Sequence, residues 1–295
     1  MTATTDDIWL NGAFRPAAGA IAANDRGLLL ADGVFDTALV LGGRVFRGAD
    51  HLQRLAAACA ALKLPVSTAR LEEAMAALAA RCCEGSIRLT VTRGPAPRGL
   101  GLPAAPHPTV FGSFAPLVPA MMFRPVSLVT TKIRRNETSP AARLKSLAYL
   151  DAVMATDEAK AKGADDALFL NTAGRLASTG LANVFVADGT KLSTPSLGEG
   201  VLAGITRKWI LEHADALGLT VEAAPITPAM AADRSLFVAN SLRLIAPVTA
   251  LDGAALPRSE VVAVLAAKLS EAIAAECGRD PRECGASLDA LQPRG

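Results

Sequence analysis

Aromatic side chains are scarce in this chain: they make up 4% of its 295 residues, with two Trp and one Tyr. Net charge is +2, from 30 basic and 28 acidic residues mixed along the chain, which gives no nucleic-acid footprint. The five cysteines (Cys59, Cys82, Cys83, Cys277, Cys284) are odd in number, irregular in spacing and in one case adjacent, which speaks against a disulfide framework or a zinc site. His51, His107 and His213 lie far apart in sequence, so no metal is expected. Although 51% of residues are hydrophobic, no apolar run approaches the roughly 18 needed to span a bilayer. The segment Met1 to Asp7 lacks the basic region and apolar core of a secretory signal. The expectation is a cytoplasmic enzyme acting on small molecules, with no membrane and no nucleic-acid partner.

What is present reads as an α+β chain in two parts. Ile8-Trp9-Leu10 before Asn11-Gly12 predicts a hairpin, and Gly33 to Leu41 predicts a strand turned back by Gly42-Gly43 into Arg44-Val45-Phe46. Asp50 is the expected N-cap of a helix through Leu55, and a second helix is expected from Ser67 or Thr68 to Cys82. Ser86 to Arg93 alternates apolar and polar as a half-buried strand does, and Thr109 to Phe114 returns as another. This gives a small domain over 1–116, a connection over 117–125 with two prolines, and a larger domain over 126–295. In the second part, strands are expected at Val126 to Ile133, Asp166 to Leu170, Asn183 to Ala187 and Leu236 to Asn240. Helices are expected at Tyr149 to Lys162, Ile205 to Leu217 and Glu260 to Cys277, and the polar tail from Gly278 is expected to be loose.

Several segments carry candidate chemistry. Lys145 sits in Arg143-Leu144-Lys145-Ser146-Leu147-Ala148-Tyr149, beside the sole tyrosine, where a desolvated amine attacks an aldehyde. Gly204-Ile205-Thr206-Arg207 leads into a helix, and free N–H groups at a helix start bind phosphate. Arg54 is a natural clamp for phosphate or carboxylate. Arg93 and Arg98 flank the rigid Gly94-Pro95-Ala96-Pro97 loop, an arrangement suited to an acidic substrate. Ala239-Asn240-Ser241-Leu242-Arg243 offers polar donors at a strand end. Leu176-Ala177-Ser178-Thr179-Gly180 is rich in small side chains that let backbone approach a flat ring. Taken singly, each segment is equally compatible with an ordinary surface residue or turn.

Their order and spacing, from Asp25-Arg26-Gly27 and Ala31-Asp32-Gly33-Val34-Phe35 to Pro247-Val248, resemble the fold-type IV pyridoxal-phosphate enzymes. That family includes branched-chain and D-amino acid aminotransferases and 4-amino-4-deoxychorismate lyase. The resemblance implies a small N-terminal α/β domain, a larger β-rich C-terminal domain with pyridoxal 5'-phosphate between them, and a homodimer. By the same resemblance, Lys145 matches the lysine that forms the Schiff base and then moves the Cα proton. Arg54 matches the arginine on the cofactor phosphate, Ile205 and Thr206 the helix-start phosphate binders, and Ser241 and Leu242 the other side of that cup. Tyr149 lies where a ring-contacting tyrosine is common, and Arg98, with Arg93 beside it, matches an arginine gripping a substrate carboxylate.

Two positions depart from the pattern. Five residues before Asn183 the family usually has Glu, which keeps the pyridine nitrogen protonated; here the residue is Ser178. A neutral hydroxyl can hydrogen-bond there but does not stabilise a pyridinium in the same way. Leu100 stands where D-amino acid aminotransferases have His and the lyases often have Tyr. Thr92-Arg93-Gly94 before Arg98-Gly99, and Asn240-Ser241-Leu242 before Pro247-Val248, resemble the lyases. The expected activity is therefore release of pyruvate from 4-amino-4-deoxychorismate, as in folate biosynthesis. An aminotransferase acting on D- or branched-chain amino acids is the alternative, and a cofactor-binding homologue of low activity is the third reading.

Overall fold

A computed structural model describes residues 7–291; most of the Met1 to Asp7 segment lies outside the described residues. Two compact units emerge. Among the described residues, the first comprises 7–118 together with 144–148 and 276–279, and the second comprises 119–143, 149–275 and 280–291. A single cut near residue 117 therefore misses two features: the short Lys145 segment and residues 276–279 group with the first unit, although the chain on both sides of each belongs to the second.

The first unit contains β1 (Asp7–Leu10), β2 (Ala13–Pro16), α1 (Arg26–Leu30), β3 (Gly33–Leu41), β4 (Arg44–Val45), α2 (Gly48–Ala61), α3 (Thr68–Cys82), β5 (Gly85–Thr92) and β6 (Thr109–Pro116). The strands form one antiparallel sheet in the order β2-β1-β6-β5-β3-β4. Leu10 pairs with Ala13 across Asn11 (φ 50°) and Gly12 (φ 109°), both left-handed as a two-residue hairpin requires. Ser67 caps α3 by accepting the Arg70 N–H. The expected N-cap at Asp50 is corrected: the N-cap is three residues earlier, at Arg47 in the left-handed region, and Asp50 lies in the first turn of α2 paired with Arg47. Its carboxylate there still complements the positive helix end. The core joins Val34, Val40, Leu89 and Val91 of the sheet to Leu55, Leu71 and Leu78 of α2 and α3.

The second unit contains β7 (Val126–Arg135), α4 (Leu150–Ala161), β8 (Asp166–Asn171), β9 (Leu176–Thr179), β10 (Asn183–Asp188), β11 (Lys191–Thr194), α5 (Ile205–His213), β12 (Thr220–Ala223), α6 (Pro228–Ala231), β13 (Ser235–Asn240), β14 (Leu244–Leu251), β15 (Ala254–Ala255) and most of α7 (Glu260–Cys277). The sheet runs β12-β11-β10-β13-β14-β7-β8-β9, and β9 also pairs with β10. The strands β10-β13-β14-β7-β8-β9 thus close on themselves. Leu168, Leu170, Leu176, Val184, Leu236, Val238 and Val248 fill one core, and Ala155 and Ala159 of α4 pack on Ala167 and Phe169. Ile205 to Leu217 is not one helix: α5 ends at His213, and a 3-10 turn over Asp215–Leu217 leads to Gly218 at φ 71°. The tail is also more ordered than expected, with Ala286 and Leu291 buried. No helix among the described residues is long and apolar enough to cross a membrane.

Candidate active site

Strand β3 organises the candidate residues of the first unit. The Phe35 N–H donates to the Lys145 carbonyl at 2.9 Å, the Leu147 N–H donates to the Gly33 carbonyl at 3.1 Å, and Val34 bridges Ser146. The Lys145 segment is thereby laid along β3 as a short extra strand. Its Nζ lies 4.5 Å from the centroid of the Phe35 ring, within cation–π range. Gly33 permits this approach: a Cβ there would fall 2.6 Å from the Val91 carbonyl oxygen and 2.9 Å from the Leu147 side chain.

The next residue along the strand was missed by sequence reasoning. Asp36, 2% exposed, accepts from Arg54 through Nε (2.8 Å) and Nη2 (2.7 Å), and lies 2.6 Å from His51 Nδ1. Burial pushes the Asp36 carboxyl up, but the His51 hydrogen bond and the charges of His51 and Arg54 outweigh it and hold the group well below the usual range. The pattern His51-x-x-Arg54 on one helix face was the available signal. A carboxylate 15 and 18 residues upstream was not tied to it.

The two arginines around the Gly94 turn part company. Arg98 is exposed. Arg93 is buried, with Nε and Nη2 on Asp32 (2.8 and 3.0 Å), Nη2 also on the Leu62 carbonyl (2.8 Å), and Nη1 on the Lys63 carbonyl (3.2 Å). The expectation of a substrate contact at Arg93 thus meets a guanidinium already engaged on all three nitrogens inside the protein.

In the second unit, contacts link the β9–β10 loop, the start of α5 and the Asn240 turn. Ser178 on β9 pairs with Phe169 of β8 and with Asn183 of β10. The Asn183 amide donates to the Leu202 carbonyl at 2.9 Å, and its oxygen sits 2.0 Å from where a Cβ on Gly204 would be. Gly204 is the N-cap of α5, with no side-chain capping bond, followed by buried Ile205, Thr206 and Arg207. The Asn240 amide donates to the Leu181 carbonyl at 3.3 Å, joining the Asn240–Leu244 turn to the β9–β10 loop. Asn240 Oδ1 accepts from the Leu242 N–H (2.9 Å) and the Arg243 N–H (2.7 Å), so the Leu242 amide is held by the turn itself. Tyr149 is half-buried at the start of α4. Asp166, also missed, is buried beside Gly180; burial raises its pKa, and a hydrogen bond with Thr179 offsets part of that rise.

The donor set at α5 suits a phosphate. First-turn N–H groups have no intrahelical acceptor and lie at the positive end of the helix. Thr206 adds a buried hydroxyl, and Arg207 is 6% exposed with an Nε that finds no partner among the described residues. A guanidinium at a helix start without a carboxylate partner favours an anion. Among the described residues no group of three or more His, Cys, Asp or Glu could hold a metal ion.

A two-unit α+β chain, with a lysine-bearing segment paired along β3 and a helix start whose donors suit an anion, has the architecture of the fold-type IV pyridoxal-phosphate class. The family model for class IV amino-transferases matches residues 33–251, and the chain belongs to that family. It is 30% identical over 264 residues to a Methanocaldococcus jannaschii protein assigned to the branched-chain-amino-acid aminotransferases, covering 86% of this chain and 91% of the relative. It resembles the crystal structure of 4-amino-4-deoxychorismate lyase from Pseudomonas aeruginosa with a TM-score of 0.81 at 30% identity, over 90% of this chain and 98% of that one. A hypothetical aminotransferase from Mycobacterium tuberculosis in its PLP-bound form matches with a TM-score of 0.81 at 26% identity, over 91% and 99% of the two chains. The protein is a pyridoxal-phosphate-dependent enzyme whose relatives include both lyases and aminotransferases.

Proposed function

We propose that this enzyme cleaves 4-amino-4-deoxychorismate or a closely similar amine, releasing pyruvate, with transfer of an amino group from D- or branched-chain amino acids as the alternative reaction. The observation that carries the choice is Ser178. It is a neutral residue, paired on both sides in β9, at the position where the family usually has Glu.

Bound pyridoxal phosphate supplies an aldehyde that captures amines and a ring that accepts the electron pair left when the Cα–H bond breaks. Arg54, Ile205 and Thr206 would hold its phosphate together with the Ser241 hydroxyl and the Leu242 turn. Tyr149 and Ser178 would contact its ring. Asp36 fixes the plane of the Arg54 guanidinium by taking both Nε and Nη2. Lys145 Nζ is the general base at Cα, and it swings on a main chain pinned to β3. In the cleavage, loss of the Cα proton to Lys145 creates the last ring double bond and expels the enolpyruvyl oxygen. A proton returned from Lys145 to the enol carbon gives pyruvate. Aromatisation drives this step from within the substrate, so a weak electron sink suffices. Amino transfer must instead reprotonate at the cofactor, and it suffers more when Ser178 replaces a carboxylate. Arg98 positions the substrate carboxylate, and Arg93 is left out of that role.

The test is pyruvate release from aminodeoxychorismate without any keto-acid acceptor. Release supports the lyase, and strict dependence on 2-oxoglutarate replaces it with the aminotransferase.

A further inference from the structure

Arg26 is 5% exposed, yet its guanidinium reaches the main chain more than 70 residues away. Nη1 donates to the carbonyls of Gly99 (2.8 Å) and Gly101 (3.2 Å), and Nη2 to that of Leu100 (3.4 Å). Nε donates to Asp32 Oδ2 at 2.8 Å. The same carboxylate is gripped from its other side by Arg93. Burial pushes the Asp32 carboxyl up, but hydrogen bonds and charges from both arginines outweigh it and lower it from its ordinary value. The start of the loop is fastened to the same segment. The Arg26 N–H donates to the Gly94 carbonyl (3.0 Å), Asp25 bridges Pro95, and the Ala96 N–H donates to the Asn24 carbonyl (3.3 Å).

Three consecutive carbonyls on one guanidinium form an unusual anchor for an exposed loop. The side chains of that loop do not pack: Leu100 is 83% exposed and Leu102 57%. Its shape therefore rests on Arg26, and the residue just before the three carbonyls is Arg98.

We propose that Arg26, held by Asp32 and Arg93, is a positioning residue that fixes the Gly99–Gly101 loop so that Arg98 is presented in one orientation to a substrate carboxylate. This rests on the reading of Arg98 as the carboxylate contact. It also gives Arg93 a role in recognition, exerted through Asp32 and Arg26.

The experiment compares the holoenzyme with Arg26→Lys, Arg98→Ala and the double variant. KM and kcat are read for aminodeoxychorismate, or for the donor amino acid if the acceptor assay selects transfer. Amide hydrogen exchange is followed across 97–103. Lysine keeps the charge but loses the fork. The expected result is a KM raised roughly tenfold with kcat within about threefold, because a displaced orienting group weakens binding more than chemistry. Exchange in the loop should accelerate, and the double variant should have no higher KM than Arg98→Ala alone. A raised KM in Arg98→Ala beside unchanged KM and exchange in Arg26→Lys overturns the proposal. If Arg98→Ala leaves KM unchanged, the reading of Arg98 fails and the recognition role falls with it, while exchange in Arg26→Lys still decides whether Arg26 holds the loop. Should Arg26→Lys fail to fold, Asp32→Asn loosens Arg26 without removing it and is judged by the same two measurements.

Discussion

Lys145 is tied to Phe35 twice: its carbonyl accepts the Phe35 N–H at 2.9 Å, and its Nζ lies 4.5 Å from the centre of the Phe35 ring. The main chain of the lysine is therefore fixed while its amine rests on an aromatic face. Borohydride reduction of the holoenzyme is expected to leave the cofactor on the peptide containing Lys145. Lys145→Ala should give no adduct and lose activity by about a thousandfold or more. Mass spectrometry of the reduced protein checks this, and an adduct on any other lysine rejects the assignment.

Ser178→Glu should raise transamination. The strand is paired on both sides at this position, so the backbone has no freedom to move the new carboxylate away. Single-turnover amino transfer from D-alanine, followed by absorbance, reads the change. An unaltered rate contradicts the role given to Ser178.

The ion pair of Asp36 and Arg54 makes a pH-dependent contribution to stability. A carboxyl held below its unfolded value stabilises the fold above that value, and the contribution is lost as pH falls through the folded one. Asp36→Asn leaves Arg54 without its buried counter-charge and should cost roughly 3 kcal/mol at neutral pH. The gap from the wild type should hold from pH 7 to about 5 and shrink below about 4, where the unfolded carboxyl takes up its proton. Urea unfolding at each pH measures it, and a gap that widens on acidification contradicts the sign.

Ala31 ends α1 in the left-handed region, at φ 53° and ψ 26°. An alanine there is strained where a glycine is not. Ala31→Gly is expected to stabilise the protein by about 0.5–1 kcal/mol without changing activity. A fall in thermal midpoint would show that the Ala31 methyl makes contacts that outweigh the strain.

Much of this fold is legible in the sequence wherever local signals agree. Ser67 ahead of α3, Asn11-Gly12 in the hairpin and the bounds of α7 follow from capping, turn chemistry and periodicity alone. β9, β11 and β12 are four residues each, too short to show a period, and they form through pairing with distant strands. The closed ring of the second unit was unreadable for the same reason. At the site, the identities of Lys145, Arg54 and Thr206 were visible as residue types. What they bind inside the protein was not: Asp36 on Arg54, Phe35 under Lys145, and Arg93 on Asp32 are contacts between residues well separated in sequence. Arg93 shows the cost of that blindness, since its position in a basic loop suggested a ligand contact and its partners are structural.

Closure of the strand ring has an evolutionary consequence. Because β9 has a neighbour on each side, its register is set by main-chain bonds and by Leu176, and the side chain at 178 carries little of the frame. On the role proposed for Ser178, a single codon change there would alter how strongly the cofactor ring draws electrons while leaving the backbone around Gly204 and Lys145 in place. One scaffold can thus drift between eliminating and transferring chemistries without passing through an unfolded ancestor.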